Sequence, residues 1–241
     1  MKGTSQVLQL EDKTIEILRR PRQKNMNLSV RGVGKIRVSC NKRRSVREIL
    51  AFVESSGDFI ARREREWKEM AKIFPPRRYL SGEKLLWEGE RKILSVIWSW
   101  KSKISVVHQG DEIELLAPLK SAGEDRKQAL IKYYRAFAKR DLHERVRKWA
   151  LAMNLNPSRV MIRGQKTIWG SCSIDGLISL NWKLICVPPE TRDYVVIHEL
   201  SHMIHRNHSS RFWKMVERFS PNYLAHKAWL KSHEPEITRM L

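Results

Sequence analysis

The residues with the clearest chemical potential form the segment His-Glu-Leu-Ser-His at positions 198–202. In an α-helix of about 3.6 residues per turn, His198 and His202 lie one above the other on the same face and can converge on one cation. Glu199 is rotated by about 100° from His198 and lies beside that cation, where it can act as a general base. The opposite face of the helix is apolar and carries Val196, Leu200 and Met203. The segment therefore predicts a helix with a metal-binding side and a core side.

A catalytic zinc ion usually has three protein ligands, so His198 and His202 need a third ligand from elsewhere in the chain. His205 lies on the same helical face, but about 10 Å from His198 along the axis, which is too far for Zn–N bonds of about 2.1 Å. Asn207 favours a turn that ends the helix, and His208 follows it directly. With the helical pair, His208 gives the ligand spacing of metzincins, although their glycine at position 205 and their Met-turn are missing from this sequence. His208 is therefore the favoured third ligand, and Glu217 is the alternative.

Zn²⁺ is the predicted cofactor, because imidazoles beside a carboxylate are typical of catalytic zinc sites, and Mn²⁺, Mg²⁺ and Ni²⁺ are alternatives. Hydrolysis also needs a group that stabilises negative charge in the transition state. Four side chains are candidates for contacts with the substrate or the transition state: Arg163, Lys166, His205 and Tyr223. Trp169 is a further candidate, as a wall of the substrate cleft.

Two kinds of periodicity predict the elements that precede this region. Alternation of apolar and polar residues predicts antiparallel hairpins over residues 5–40 and strands again over 80–116. Helical periodicity predicts helices over residues 45–73 and 124–153. The first of these helices opens on Ser45, with a glutamate three residues later that matches a capping box.

The last third of the chain carries the predicted site. Alternation predicts strands between residues 160 and 182, and proline or capping residues separate three helices after them. The first helix runs through Tyr194 to His205, the second from Ser209 to just before Pro221, and the third from Tyr223 to His233.

These elements predict an α+β fold, in which N-terminal antiparallel hairpins and long helices lead to a C-terminal metal-binding domain. Breaks near Pro75 and Pro157 divide the chain into segments 1–79, 80–157 and 158–241. The three segments are separate domains or parts of one integrated domain, and the sequence leaves both arrangements open.

Composition limits the class of protein. Of the 241 residues, 47 are Lys or Arg and 26 are Asp or Glu, which gives a net charge of +21. With 41% apolar and 30% charged residues the chain is globular rather than collagen-like or wholly disordered.

No apolar run approaches the roughly 18 residues that cross a bilayer, so no membrane span is expected. The chain has three cysteines and no CxxC spacing, which predicts a protein located in the reducing cytoplasm.

Five segments of the C-terminal third match the pattern of a known family. They are residues 169–173 (WGSCS), 178–182 (ISLNW), 193–202 (DYVVIHELSH), 207–209 (NHS) and 212–213 (FW). In these segments the chain resembles the YgjP-like metallopeptidase-domain family, a zincin group related to SprT-like and WLM domains. The resemblance is weaker before residue 150. It implies a zincin-like C-terminal core, with an active-site helix and a sheet beside it.

Three functions are compatible with these residues. The first is a zinc-dependent peptidase in which Glu199 is the general base. The second is hydrolysis of a nucleoside triphosphate at the same site, since some relatives are thought to act on nucleotides. No Gly-rich phosphate loop is present, so Arg, Lys and the metal would hold the phosphates. The third is a nucleic-acid-associated metalloprotease whose basic surface binds DNA or RNA, although the sequence has no recognised DNA-binding motif.

Overall fold

The computed structural model describes residues 4–73, 75, 77–165 and 168–241. Helices and strands are both abundant, so the predicted mixed α+β class is confirmed. The residues group into two units, Met1–Pro76 and Arg77–Leu241. Predicted segments 80–157 and 158–241 lie together in the second unit, because their apolar side chains share one core.

The first unit begins with a four-stranded sheet. Its strands are β1 (Thr4–Leu10), β2 (Lys13–Arg20), β3 (Asn27–Gly32) and β4 (Lys35–Asn41). The order across the sheet is β1-β2-β4-β3. Antiparallel pairs β1–β2 and β3–β4 are joined by the parallel pair β2–β4, in which Ile15 pairs with Ile36 and Ile17 with Val38. Parallel pairing puts these buried side chains on one face of the sheet.

Two helices cover that face. They are α1 (Val46–Ser55) and α2 (Gly57–Ile73). The predicted capping box is confirmed, since Ser45 Oγ accepts from the Glu48 amide and the Glu48 carboxylate accepts from the Ser45 amide. Ile49 and Ile60, one from each helix, complete the core of this unit.

The second unit repeats the same strand order in its first sheet. Its strands are β5 (Lys84–Trp87), β6 (Glu90–Ser99), β7 (Ser105–Gln109) and β8 (Glu112–Pro118). Hairpins β5–β6 and β7–β8 are again joined by a parallel pair, β6–β8. The long helix α3 (Gly123–Ala152) follows and buries one side chain on nearly every turn, including Leu130, Tyr134 and Leu142.

A small third sheet leads to the predicted site. It contains β9 (Arg159–Arg163), β10 (Gly170–Cys172) and β11 (Leu177–Asn181), in the order β10-β11-β9. The pair β10–β11 is antiparallel and β11–β9 is parallel, so one side of β10 carries no strand among the described residues. A 3₁₀ helix (Trp182–Cys186) connects this sheet to the last helices.

Three helices complete the second unit: α4 (Pro189–Ser201), α5 (Ser210–Phe219) and α6 (Tyr223–Met240). The prediction that the last helix ends at His233 was wrong, because α6 continues through Pro235. Burial of Ile237 and Met240 offsets the cost of a proline inside a helix, which is about 3 kcal/mol. Lys183 Nζ also donates to the carbonyls of residues 237 and 238, at 3.2 and 2.7 Å. None of the helices in the described part of the chain combines the length and apolar character that a bilayer crossing requires.

Candidate metal centre

The end of α4 places the first two histidines. The helix predicted to reach His205 ends at Ser201, where the Ser201 hydroxyl donates to the carbonyl of Ile197 at 2.7 Å. His198 lies in the last turn, and His202 is the residue that ends the helix. The predicted face is therefore formed by the final helical turn and the residue after it.

The turn after α4 orients His202. Its Nδ1 lies 3.0 Å from the carbonyl oxygen of His205. A carbonyl can only accept, so Nδ1 carries the proton and Nε2 keeps its lone pair. Metal-binding histidines are usually oriented in this way by a backbone carbonyl on the other ring nitrogen. His205 thus contributes its backbone to the site.

The chain then turns back and brings His208 to the other two imidazoles. Ring centroids are 5.0 Å apart for His198 and His202, 5.1 Å for His198 and His208, and 4.8 Å for His202 and His208. One nitrogen from each ring lies within 4.8 Å of the others. The Nε2 atoms of His198 and His208 are 3.2 Å apart. Two nitrogens bound to one tetrahedral zinc ion lie roughly 3.4 Å apart, so this pair already has a suitable separation.

The protonation states of His198 and His202 suit metal binding. Burial, the largest cause, and the charges of His202, His208 and Lys227 together lower the pKa of His198 to about 3. Burial is also the largest cause that lowers the pKa of His202. Both rings are therefore neutral at pH 7, the form that binds a metal. Three imidazoles with converging nitrogens fit Zn²⁺ or a similar divalent ion.

Phe212, on the first turns of α5, packs beneath all three imidazoles. Its ring centroid lies 4.9 Å from that of His198, 4.5 Å from His202 and 4.8 Å from His208. The side chain is fully buried. This role was not predicted from the sequence, although a large aromatic residue at the start of the next helix is a usable signal. The ring restricts the rotamers that each imidazole can adopt.

Arg206 fixes the turn that carries His208. Its guanidinium donates to the carbonyls of Ser173 and Ile174, at 2.6 and 2.8 Å. These bonds connect the segment between α4 and α5 to the turn between β10 and β11. Nothing in the local sequence around Arg206 indicates this long-range contact.

Glu199 lies next to the histidines and packs against β10 at Gly170. The residue is only 6% exposed. Burial raises the pKa of this carboxyl group to about 8. A buried carboxyl with a strongly raised pKa beside three convergent imidazoles is a typical feature of a catalytic site.

An aromatic stack borders the cluster. Trp213 lies 5.6 Å from His208 at an interplanar angle of 25°, and Tyr223 stacks on the same indole at 5.1 Å. Lys227 Nζ lies 5.1 Å from the Trp213 ring. Tyr223, a predicted contact residue, is therefore close to the site through Trp213. Trp213 belongs to the family-matching segment 212–213, but its contact with His208 was not predicted from the sequence, nor was the position of Lys227.

Other predicted residues lie elsewhere. Glu217 is exposed on α5, and among the described residues the cluster that could hold a metal ion contains His208 and not Glu217. Arg163 is exposed at the end of β9. Trp169 packs against the core of the second unit, and its carbonyl accepts from the Asn181 amide. Lys166 lies outside the described residues.

A buried ionic network holds α4 against α3. Arg192 is fully buried and contacts Glu88 at 2.5 Å and Asp141 at 2.7 Å. Asp141 also contacts Arg145, which reaches Asp193 at 2.6 Å. Asp193 therefore supports α4 through α3. The network fixes the helix two turns before His198.

Comparisons with known proteins identify a family and a similar solved structure. The model of the YgjP-like metallopeptidase domain matches residues 24–233, which is most of the chain. Among solved structures, the chain is similar to the crystal structure of the metallopeptidase zymogen of Pyrococcus abyssi abylysin, with 23% identity and a TM-score of 0.36. That match covers 39% of this chain and 95% of abylysin. No curated protein matches the chain. The extent of the family match shows that the chain belongs to the YgjP-like metallopeptidase-domain family.

Proposed function

We propose that this protein is a zinc-dependent hydrolase of the peptidase type, with His198, His202 and His208 as metal ligands and Glu199 as general base. The observation that carries the proposal is the convergence of the three imidazoles beside one buried carboxyl group. A bound Zn²⁺ would supply Lewis acidity, which lowers the pKa of water toward about 7 and polarises a carbonyl.

Glu199 performs the proton transfers in this proposal. Its pKa is about 8 in the metal-free chain, and a neighbouring cation favours its ionised form. The carboxylate accepts a proton from the attacking water and returns it to the leaving amine. The burial of Glu199 keeps that proton from exchanging freely with bulk solvent.

Strand β10 is suited to hold a substrate peptide. It is an edge strand among the described residues, and its first residue, Gly170, contacts Glu199. An extended peptide can add to such an edge through main-chain hydrogen bonds. That pairing would place a scissile carbonyl beside the carboxylate. Tyr223 and the Lys227 ammonium are the candidates for contacts with the developing oxyanion.

The metal assignment is tested by measuring bound metal and locating it by anomalous scattering. We expect one ion per chain, bound by the three histidines. His208→Ala should lose the ion, whereas the matched variant Glu217→Ala should keep it. Retention by His208→Ala together with loss by Glu217→Ala would refute the proposed third ligand.

The role of Glu199 is tested in the loaded protein with casein as substrate. Glu199→Gln should keep its metal and lose activity by about 10²- to 10⁴-fold, the usual range for a general base. Full activity in this variant would refute the assignment.

One observation favours a second substrate class, a nucleoside triphosphate. Lys227 lies over Trp213, next to His208, and its charge contributes to the low pKa of His198. A cation at this place attracts phosphates as well as an oxyanion. Parallel assays with casein and with UTP or ATP distinguish the two substrates. Release of phosphate or pyrophosphate without peptide cleavage would replace the peptidase proposal by this one.

A further inference from the structure

The first unit contains a basic surface that the proposed hydrolase does not use. Two turns, β2–β3 and β4–α1, enclose an open concavity of about 670 Å³. Five cationic side chains line it, and we call this surface the basic concavity: Arg22, Lys24, Lys42, Arg43 and Arg44. Residues 1–76 as a whole carry 18 Lys and Arg against 9 Asp and Glu.

Side-chain hydrogen bonds brace the two turns against each other. Asn41 Nδ2 donates to the carbonyls of Pro21 and Gln23, at 3.2 and 3.1 Å. Gln23 Nε2 donates to the carbonyl of Ser39 at 2.7 Å. Arg19 donates to the carbonyls of residues 42 and 44, at 3.3 and 2.5 Å. The backbone that carries the cations is therefore organised before any ligand binds, which reduces the entropy cost of binding.

Four of the five cations on this surface have no carboxylate partner among the described residues. Glu48 is the only acid that lines it, and its carboxylate contacts Arg44 at 2.6 Å and also accepts from Ser45. In the described part of the chain, no carboxylate lies within ion-pair distance of Arg22, Lys24, Lys42 or Arg43. All four residues are exposed. Four like charges in one concavity create a field that attracts a polyanion.

The composition of the lining selects among polyanions. Apart from Pro21, the lining contains only charged and amide side chains. An anionic membrane surface is normally bound with inserted apolar residues, and a protein partner with buried aromatic or aliphatic anchors. Single-stranded nucleic acid is usually held by aromatic stacking platforms, and no aromatic residue lines this surface. A duplex needs only contacts to its phosphates.

We propose that the basic concavity binds the phosphate backbone of double-stranded nucleic acid without reading its sequence. Arg22 and Lys24 from one turn, and Lys42 and Arg43 from the other, contact the phosphates. The surface belongs to the first unit, so this binding does not depend on the proposed hydrolase activity.

The test measures binding of fluorescein-labelled 20-base-pair DNA and RNA duplexes to the full chain by anisotropy between 50 and 300 mM NaCl. A plot of log K against log salt has a negative slope. If two cations each neutralise one phosphate, replacing them makes this slope less negative by about 2. We expect this change in Arg22→Gln/Lys42→Gln, with affinity for the DNA duplex lower by roughly tens-fold at 100 mM salt. Lys24→Gln/Arg43→Gln should behave in the same way, and circular dichroism verifies that both variants fold.

The control is Arg65→Gln/Lys68→Gln, which removes the same two charges from exposed positions on α2. Its salt slope should match that of the unaltered protein. Equal losses in the control and in both concavity variants would show only a general charge effect and overturn the proposal. Unchanged binding in both concavity variants would do so as well. Tighter binding to a single strand, or to vesicles of phosphatidylglycerol, than to either duplex would assign the surface to another polyanion.

Discussion

Gly170 and Glu199 are packed so closely that no side chain fits between them. A β-carbon placed on Gly170 would lie 2.6 Å from both Cγ and Oε1 of Glu199 and 2.8 Å from its Cδ. Such distances require one of the two groups to move. The absence of a side chain at position 170 therefore sets how closely β10 approaches the proposed general base.

Gly170→Ala should reduce activity by displacing Glu199. A misplacement of about 1 Å in a catalytic group can cost about 10²-fold in rate, and we expect a loss of this order in kcat. Because the three atoms nearest to the added β-carbon all belong to Glu199 and none to a proposed ligand, metal content should stay at one ion per chain. Steady-state kinetics and metal analysis of the same preparation test this expectation. Gly57→Ala is the control, since a β-carbon there meets nothing within 4 Å. Loss of metal together with activity would contradict the explanation.

Phe212→Leu should weaken metal binding, because the ring supports all three imidazoles. Residues that orient metal ligands typically contribute about 10- to 100-fold to affinity, and we expect the zinc Kd to rise by about 10-fold. Competition with a chelator measures it. Phe219→Leu makes the same substitution two turns further along α5, next to Arg218 rather than the histidines. An equal rise in Kd in both variants would indicate a general loss of packing.

Glu199 should make the stability of the metal-free protein depend on pH. Its pKa is 4.5 in the unfolded chain and about 8 in the folded one, so the folded state binds the proton more tightly. Stability should therefore fall as the pH rises from about 4.5 to 8, by an amount on the order of a few kcal/mol. Urea unfolding in EDTA should show Glu199→Gln to be more stable than the unaltered chain at pH 8.5. That advantage should shrink as the pH is lowered toward 5. An advantage that stays constant across this range would exclude titration of Glu199 as its cause.

Asp141→Asn should destabilise the second unit more than Asp193→Asn. The first change leaves the fully buried Arg192 with Glu88 alone, and breaking a buried ion pair costs roughly 3 kcal/mol. The second change leaves Arg145 its contact with Asp141, and we expect a loss of about 1 kcal/mol or less. Urea unfolding at pH 7 compares the two variants. Equal losses would show that the bond to Arg192 is not the main support of α4.

Short-range features of the fold were predictable because they depend on neighbouring residues. The capping box at Ser45 and Glu48 follows from a spacing of three residues, and the structure contains it. The convergence of His198 and His202 follows from the rise and period of one helix. Asn207 pointed to a turn, and His208 lies beside the other two rings.

Contacts between distant segments were not predictable in the same way. Alternation in residues 5–40 indicates strands but does not specify the parallel pair β2–β4. The proline at position 235 favoured an early end of the last helix, and burial of Ile237 outweighed that local preference. Arg206 and Lys227 gave no local signal, because their importance comes from residues far from them in sequence.

The sequence by itself determined which groups could do the chemistry: three histidines, one glutamate and the helix that aligns two of them. Helical periodicity is a local property of the backbone, so one chain segment is enough to define it. Only the tertiary structure decided the surroundings of those groups. It buried Glu199 against Gly170, placed Phe212 under the imidazoles and left a braced set of cations on the first unit. Burial and packing arise where distant segments of the chain contact each other. These contacts set the pKa of Glu199, the distances between the imidazoles and the number of unpaired cations on the surface.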